Sequence, residues 1–206
     1  VGILGNFINR VMVLSHKYYE GIVPAKTIEF EELTEIKYFA KRIGDHLEKY
    51  EFRAALTEYM NLARLGNQFL QAQEPWKKGD DPEAVKGIMY TATQIAAALG
   101  QLGEPFIPFA SEKILAMMNV EKMTWDDLES TDECAKAGHQ LGESELIFAK
   151  IEDEAIEAQI NKLNESKVKN NMTNPNAEPQ KELISFDDFQ KMDIRIGTIL
   201  EAKKVE

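Results

Sequence analysis

One cysteine and three histidines in 206 residues remove several classes of protein at once. A single thiol, Cys134, cannot build an intramolecular disulfide framework, so a reducing compartment is the expected setting. His16, His46 and His139 show no metal-ligand spacing, and no metal site is expected. Long hydrophobic runs are missing too: the stretch 95–99 falls far short of the roughly 20 residues that span a bilayer. The opening VGILGNFINRV has no basic segment ahead of an apolar one, so it does not read as a targeting signal. A cytoplasmic location without a membrane partner is expected. Positive charge is also scarce, with 24 Lys and Arg against 35 Asp and Glu and a net charge of −11. That weighs against a broad electrostatic nucleic-acid surface, because nonspecific binding needs cations to neutralise phosphates. The acids concentrate in 29–35, 126–133 and 152–157, which leaves space for a small face that reads a few bases. Finally, there is no nucleophile with a paired base, no glycine-rich phosphate loop and no catalytic carboxylate pair. The chain by itself is expected to be noncatalytic.

What is present is helix after helix. The 44% hydrophobic content supports a sizeable core. In 3–19, Leu4, Phe7, Ile8, Val11 and Leu14 or Ser15 recur at three- and four-residue spacing and form one buried stripe. The periodicity is already running at Ile3 without a cap, so the chain reads as cut from something longer. A loop marked by Gly21 and Pro24 leads to a second helix over about 32–49, with Leu33, Ile36, Phe39, Ala40, Ile43 and Leu47 inward. A third is expected over 52–73 and a fourth over 82–102, and the hinge between Pro105 and Pro108 introduces a fifth. Helices of this length with short connections make an all-α antiparallel bundle the economical architecture. Met60, Phe69, Met89, Met117 and Met118 read as core, and Cys134 as a semi-buried small hydrophobe.

Beyond Trp125 the sequence is mostly polar and loop-like. Asp126 and Asp127 read as a solvated helix start, and Leu146 to Phe148 as a short apolar patch. A last helix is expected over 152–163 with Ile156, Ile160 and Leu163 on one face. The composition then shifts: 165–181 is nearly devoid of large apolar residues and reads as a flexible linker between a domain at 1–164 and a segment at 182–206. In that segment, Ile194, Ile196, Thr198 and Leu200 alternate with polar neighbours, a β-strand signature. A lone strand cannot bury itself, so a truncated all-β domain is expected there.

Two places remain to be explained. Pro75 and the residue before it cannot continue a helix, which puts Trp76 at a helix end and an edge of the fold. Its ring is either a hydrophobic cap on the bundle or a stacking platform for a base. Asn6 and Arg10 are four apart on the first helix and share a face. By themselves they read as a solvent-exposed stripe, or as an Asn capping a local kink.

The combination LGNFINRVMVLSHKYYEG, a long helix ending in NQFLQAQEPWK and the hinge LGEPFIPFASEKI resembles the anticodon-binding domain of methionyl-tRNA synthetases, which are class I synthetases. The terminal DFQKMDIRIGTILEAKKVE is similar to the opening strand of the oligonucleotide-binding-fold (OB-fold) domain appended to many bacterial members. The resemblance implies a helix bundle of the class I anticodon-binding type, followed by a linker and the first strand of an OB-fold. It implies that Asn6, Arg10, Pro75 and Trp76 read the anticodon loop of tRNA-Met, with Trp76 stacking on the first base of CAU. Asn67 and Lys77 are further candidates. It assigns ATP and magnesium to the full-length enzyme and no cofactor to this chain. It also leaves room for a full-length homodimer formed through the complete carboxy-terminal domain. The anticodon domain of another class I synthetase, or a helical protein-interaction scaffold, would share much of this pattern. A contiguous exposed apolar patch, in place of an exposed Trp76 among polar neighbours, would mark the scaffold.

Overall fold

Apolar periodicity becomes helix almost everywhere it was read. A computed structural model describes residues 2–131, 133–173 and 185–192. Its elements are α1 (Gly2–Tyr19), α2 (Glu31–Glu48), α3 (Phe52–Gln73), a 3-10 turn (Pro75–Lys77), α4 (Pro82–Leu102), α5 (Pro108–Met118), α6 (Trp125–Ser130), α7 (Asp153–Thr173) and α8 (Phe186–Gln190). Among the described residues there is no sheet, only an isolated antiparallel bridge between Ile22 and Gln140. No described helix is long and apolar enough to cross a membrane. The chain divides into two compact units, Val1–Lys150 and Ile151–Glu206.

Helix α4 forms the axis of the first unit. Every residue from Gly87 to Leu102 is buried, and the helix packs against α1, α2, α3 and α5. A helix apolar on all sides has no solvent face to keep, so it takes the centre. Small residues let its neighbours approach: a Cβ at Gly100 would meet Ile114 of α5, and one at Gly87 would meet Ile28. Asp81 caps its start by accepting from Ala84 N at 3.0 Å, with Pro82 in the first helical position.

Helix α3 runs antiparallel to both α2 and α4, as their cross-links show. Arg42 Nε donates to Glu58 Oε2 at 3.0 Å between α2 and α3. Tyr59 OH donates to Leu99 O at 3.1 Å between α3 and α4, and burial pushes that phenol well above its ordinary pKa. Helices α1 and α3 pack side by side and run in the same direction, as two points of contact show. Ile3 sits opposite Asn67 and Arg10 opposite Trp76.

The polar stretch after α5 is better ordered than its composition suggests. Thr124 and Asp127 form a reciprocal capping box that starts α6 at the acids read as a helix start. Farther on, Gly138 N donates to Val23 O, Val23 N to His139 O and Leu141 N to Gly21 O, each at 2.8 Å. These bonds tie the segment to the α1–α2 loop. Cys134 is buried, and its backbone is held from α4 by Gln94.

In the second unit, α7 runs ten residues past the expected end at Leu163, into the stretch read as a linker. The physical reason lies in the sequence: no proline or glycine interrupts it before Pro175, and the residue preceding a proline disfavours helix. Ile156, Ile160 and Leu163 are exposed within this unit. Ser185 caps the short α8 by accepting from Asp188 N at 3.2 Å. The rest of the linker, 174–181, and the strand expected from Ile194 to Leu200 lie outside the described residues.

Candidate nucleic-acid interface

The end of α3 is built by a backbone reversal. Glu74 takes a left-handed conformation with φ 43°, and its N–H donates to Leu70 O at 3.1 Å, closing the helix. Pro75 then opens the 3-10 turn, which is fastened by Lys77 N to Glu74 O at 2.8 Å and Lys78 N to Pro75 O at 3.3 Å. Pro75 is buried, and the turn packs against α4. Trp76 emerges from that fixed turn with 39% of its surface exposed. The ring therefore covers part of the bundle's edge and keeps the rest open to solvent.

Across from it, α1 supplies the polar pair. The Arg10 guanidinium carbon lies 5.2 Å from the centroid of the Trp76 ring, a cation–π contact between residues distant in sequence. Asn6, one turn earlier, is exposed and lines a shallow groove of about 480 Å³ between α1 and α3. The intervening Phe7 is fully buried against Gly66 of α3, where a Cβ would run into its ring. That glycine lets the two helices approach and sets the spacing of the whole face. Replacing it with alanine gains about 1 kcal/mol of helix propensity but overpacks the contact by typically 1–3 kcal/mol. Gly66→Ala should therefore lose about 1 kcal/mol net in a urea melt, and a stabilised variant would contradict this account of the contact.

The weaker candidates occupy defined places. Asn67 Nδ2 donates to Ile3 O at 2.9 Å and to Ala63 O at 3.0 Å, so its amide stitches α1 to α3. Lys77 Nζ pairs with Glu74 Oε1 at 2.8 Å, which neutralises the carboxylate two residues before Trp76. Arg10 of mid-α1 thus meets Trp76 just past the end of α3, Pro75 anchors the turn, and Asn6 stands one turn back along α1 in the groove that Asn67 also lines, with Lys77 beside Trp76 in the chain. Sequence reasoning missed Met60, Arg64 and Gln68, which line the groove with Asn6. Their spacing on α3 places them on one face, but nothing in the chain tells which neighbour that face meets. Chemically, an exposed indole beside a guanidinium and an amide offers a stacking surface with directional donors and one acceptor.

Residues 25–167 match the family model described as the anticodon binding domain of methionyl tRNA ligase. The span includes Pro75 and Trp76 but starts after α1. The chain is 53% identical over 209 residues to the methionine–tRNA ligase of Flavobacterium psychrophilum, covering 98% of this chain and 30% of that protein. It is 48% identical over 210 residues to that of Cytophaga hutchinsonii, covering 100% of this chain and 30% of the relative. The chain thus spans about a third of the length of the curated relatives it matches. Among solved structures, the apo form of Mycobacterium tuberculosis methionyl-tRNA synthetase superposes with a TM-score of 0.62 at 18% identity, over 73% of this chain and 32% of that one. At that identity the likeness speaks for the fold alone.

Proposed function

The chain belongs to the family of methionyl tRNA ligase anticodon-binding domains, and from that premise we propose that it reads the anticodon loop of tRNA-Met. In this reading the first base of CAU stacks on Trp76 while Asn6 and Arg10 hydrogen-bond its edges. The observation that carries it is the meeting of Arg10 with a half-exposed Trp76 at a helix end, one turn from an exposed Asn6. Loop bases can be splayed out and stacked on aromatic or guanidinium planes, which a duplex does not permit. A few such contacts need few phosphates, so a net charge of −11 does not oppose them. We assign the ATP- and magnesium-dependent attachment of methionine to the remaining part of such a ligase and not to any residue described here. A homodimer formed through a complete carboxy-terminal domain would likewise draw on residues outside those described.

The feature a scaffold reading needs is an apolar groove of about 410 Å³ lined by Phe106, Phe109, Ile147 and Phe148. It lies between the start of α5 and residues 147–148, and Phe148 reaches Gly5 of α1. Fluorescence anisotropy with stem-loops that differ only in the first anticodon base separates the two. The CAU loop should bind tighter by about 1–3 kcal/mol, the value of a good base-edge contact. Arg10→Ala should reduce that preference with the salt dependence little changed. Equal affinity of the unaltered chain for both loops would sink the anticodon assignment.

A further inference from the structure

The groove that holds Asn6 contains a cation with no acidic partner among the described residues. Arg64 is exposed on α3 and donates from Nη1 to Asn61 Oδ1 at 2.8 Å. Asn61 donates in turn to Glu58 Oε1 at 3.4 Å, and Glu58 is held on its other oxygen by Arg42. The acid that could neutralise Arg64 is therefore engaged elsewhere, with a neutral amide between them. Two of the lysines that follow are paired, Lys77 with Glu74 and Lys86 with Glu83. Arg64 keeps the charge and most of its five N–H donors for something outside the bundle.

We propose that this groove, lined by Asn6, Met60, Arg64, Asn67 and Gln68, is a second nucleotide subsite in which Arg64 binds a backbone phosphate of the RNA loop whose base stacks on Trp76. The inference rests on the anticodon-loop reading above and adds to it a residue that positions the strand without reading sequence. Three observations support RNA as the occupant. The groove is continuous with the reading face, because Asn6 belongs to both. Its open cation sits in a chain of net charge −11, where a loop strand needs at least one such anchor. Arg64 also lies nine residues before the end of α3, about 14 Å at 1.5 Å per residue. A strand at a stacked spacing of about 3.4 Å covers that in roughly four nucleotides, so one anticodon loop reaches both places. Met60 supplies an apolar floor, and Gln68 adds a donor and an acceptor for a sugar or phosphate oxygen.

The test is loop binding by Arg64→Gln and Arg64→Lys across a salt series, beside Trp76→Ala, with circular dichroism confirming that each variant folds. One phosphate contact to a single strand contributes about 0.7 to the slope of log K against log salt. Arg64→Gln should therefore bind about fivefold more weakly near 0.1 M salt, lose that deficit near 1 M, and do so for every anticodon alike. Arg64→Lys keeps the charge and should restore the slope. An unchanged slope in Arg64→Gln, with Trp76→Ala still impaired, would overturn the subsite and leave the anticodon reading standing. If the unaltered chain does not discriminate among loops and neither variant matters, the underlying reading fails instead. A hexaglutamate peptide, titrated in the same buffer, probes an acidic protein segment as the occupant. Arg64-dependent binding of that peptide, with loop affinity untouched, would assign the groove to protein and overturn the proposal.

Discussion

Trp76→Ala will weaken binding of the CAU stem-loop by about 1–3 kcal/mol, the range for losing a stacked base, while the bundle loses less stability than a buried tryptophan would cost. The second half of that result follows from exposure. A buried tryptophan truncated to alanine costs about 3–5 kcal/mol, but this ring keeps 39% of its surface in water and touches a guanidinium on a neighbouring helix. Removing it leaves no sealed cavity and no orphaned group, and Arg10 regains solvent. A stability loss of about 1–2 kcal/mol, well below that of a sealed tryptophan, is therefore expected. Isothermal titration with the loop and a urea melt of the same preparation give both numbers. A variant that binds normally but melts several kcal/mol early would return Trp76 to the role of hydrophobic cap.

The largest effect on stability belongs to Gln94→Leu. Gln94 is fully buried in α4, where its Oε1 accepts from Cys134 N at 2.7 Å and Ala135 N at 2.9 Å. Its Nε2 donates to Ala135 O at 2.6 Å. One side chain thus satisfies three backbone groups of a segment that has no secondary structure to satisfy them. Leucine has a similar volume, so packing changes little, but two N–H groups and a carbonyl lose their partner in a place that excludes water. Each unsatisfied buried group costs about 1–3 kcal/mol, less whatever the segment recovers by shifting outward. A net loss of about 3–5 kcal/mol is expected, a large part of the 5–15 kcal/mol typical of a domain. An urea midpoint within about 1 kcal/mol of the unaltered protein would show that the segment finds other partners.

How far all this could be read in advance differs from element to element. Helices α1 to α3 were legible because each buries one continuous stripe, α4 and α5 because apolar residues run through them, and Pro75, Pro82 and Pro108 punctuate the chain. The length of α7 was not, since its polar composition suggested a linker while the absence of any breaker before Pro175 allowed the helix to continue. The capping box at Thr124 and Asp127 was present in the chain, but six residues are too few to show a period. At the interface, the shared face of Asn6 and Arg10 and the edge position of Trp76 followed from spacing and from proline. Their meeting did not, because it depends on α1 and α3 lying side by side with Gly66 against Phe7, a contact that no local pattern announces. Gln94 shows the same limit: a glutamine inside an apolar run signals that something must satisfy it, not that the partner lies some forty residues onward.

The reversed backbone at Glu74 has a consequence for the entropy of recognition. Fixing one residue's backbone costs about 1–2 kcal/mol, and a reader carried on a loose loop would meet that cost for each residue at the moment of binding. Here the left-handed cap, the buried Pro75 and the two bonds closing the 3-10 turn hold Trp76's main chain before any ligand arrives. The ordering cost falls on folding, where the whole core shares it. What remains to be ordered on binding is a side chain with two rotatable bonds, so most of the stacking energy is free to appear as affinity.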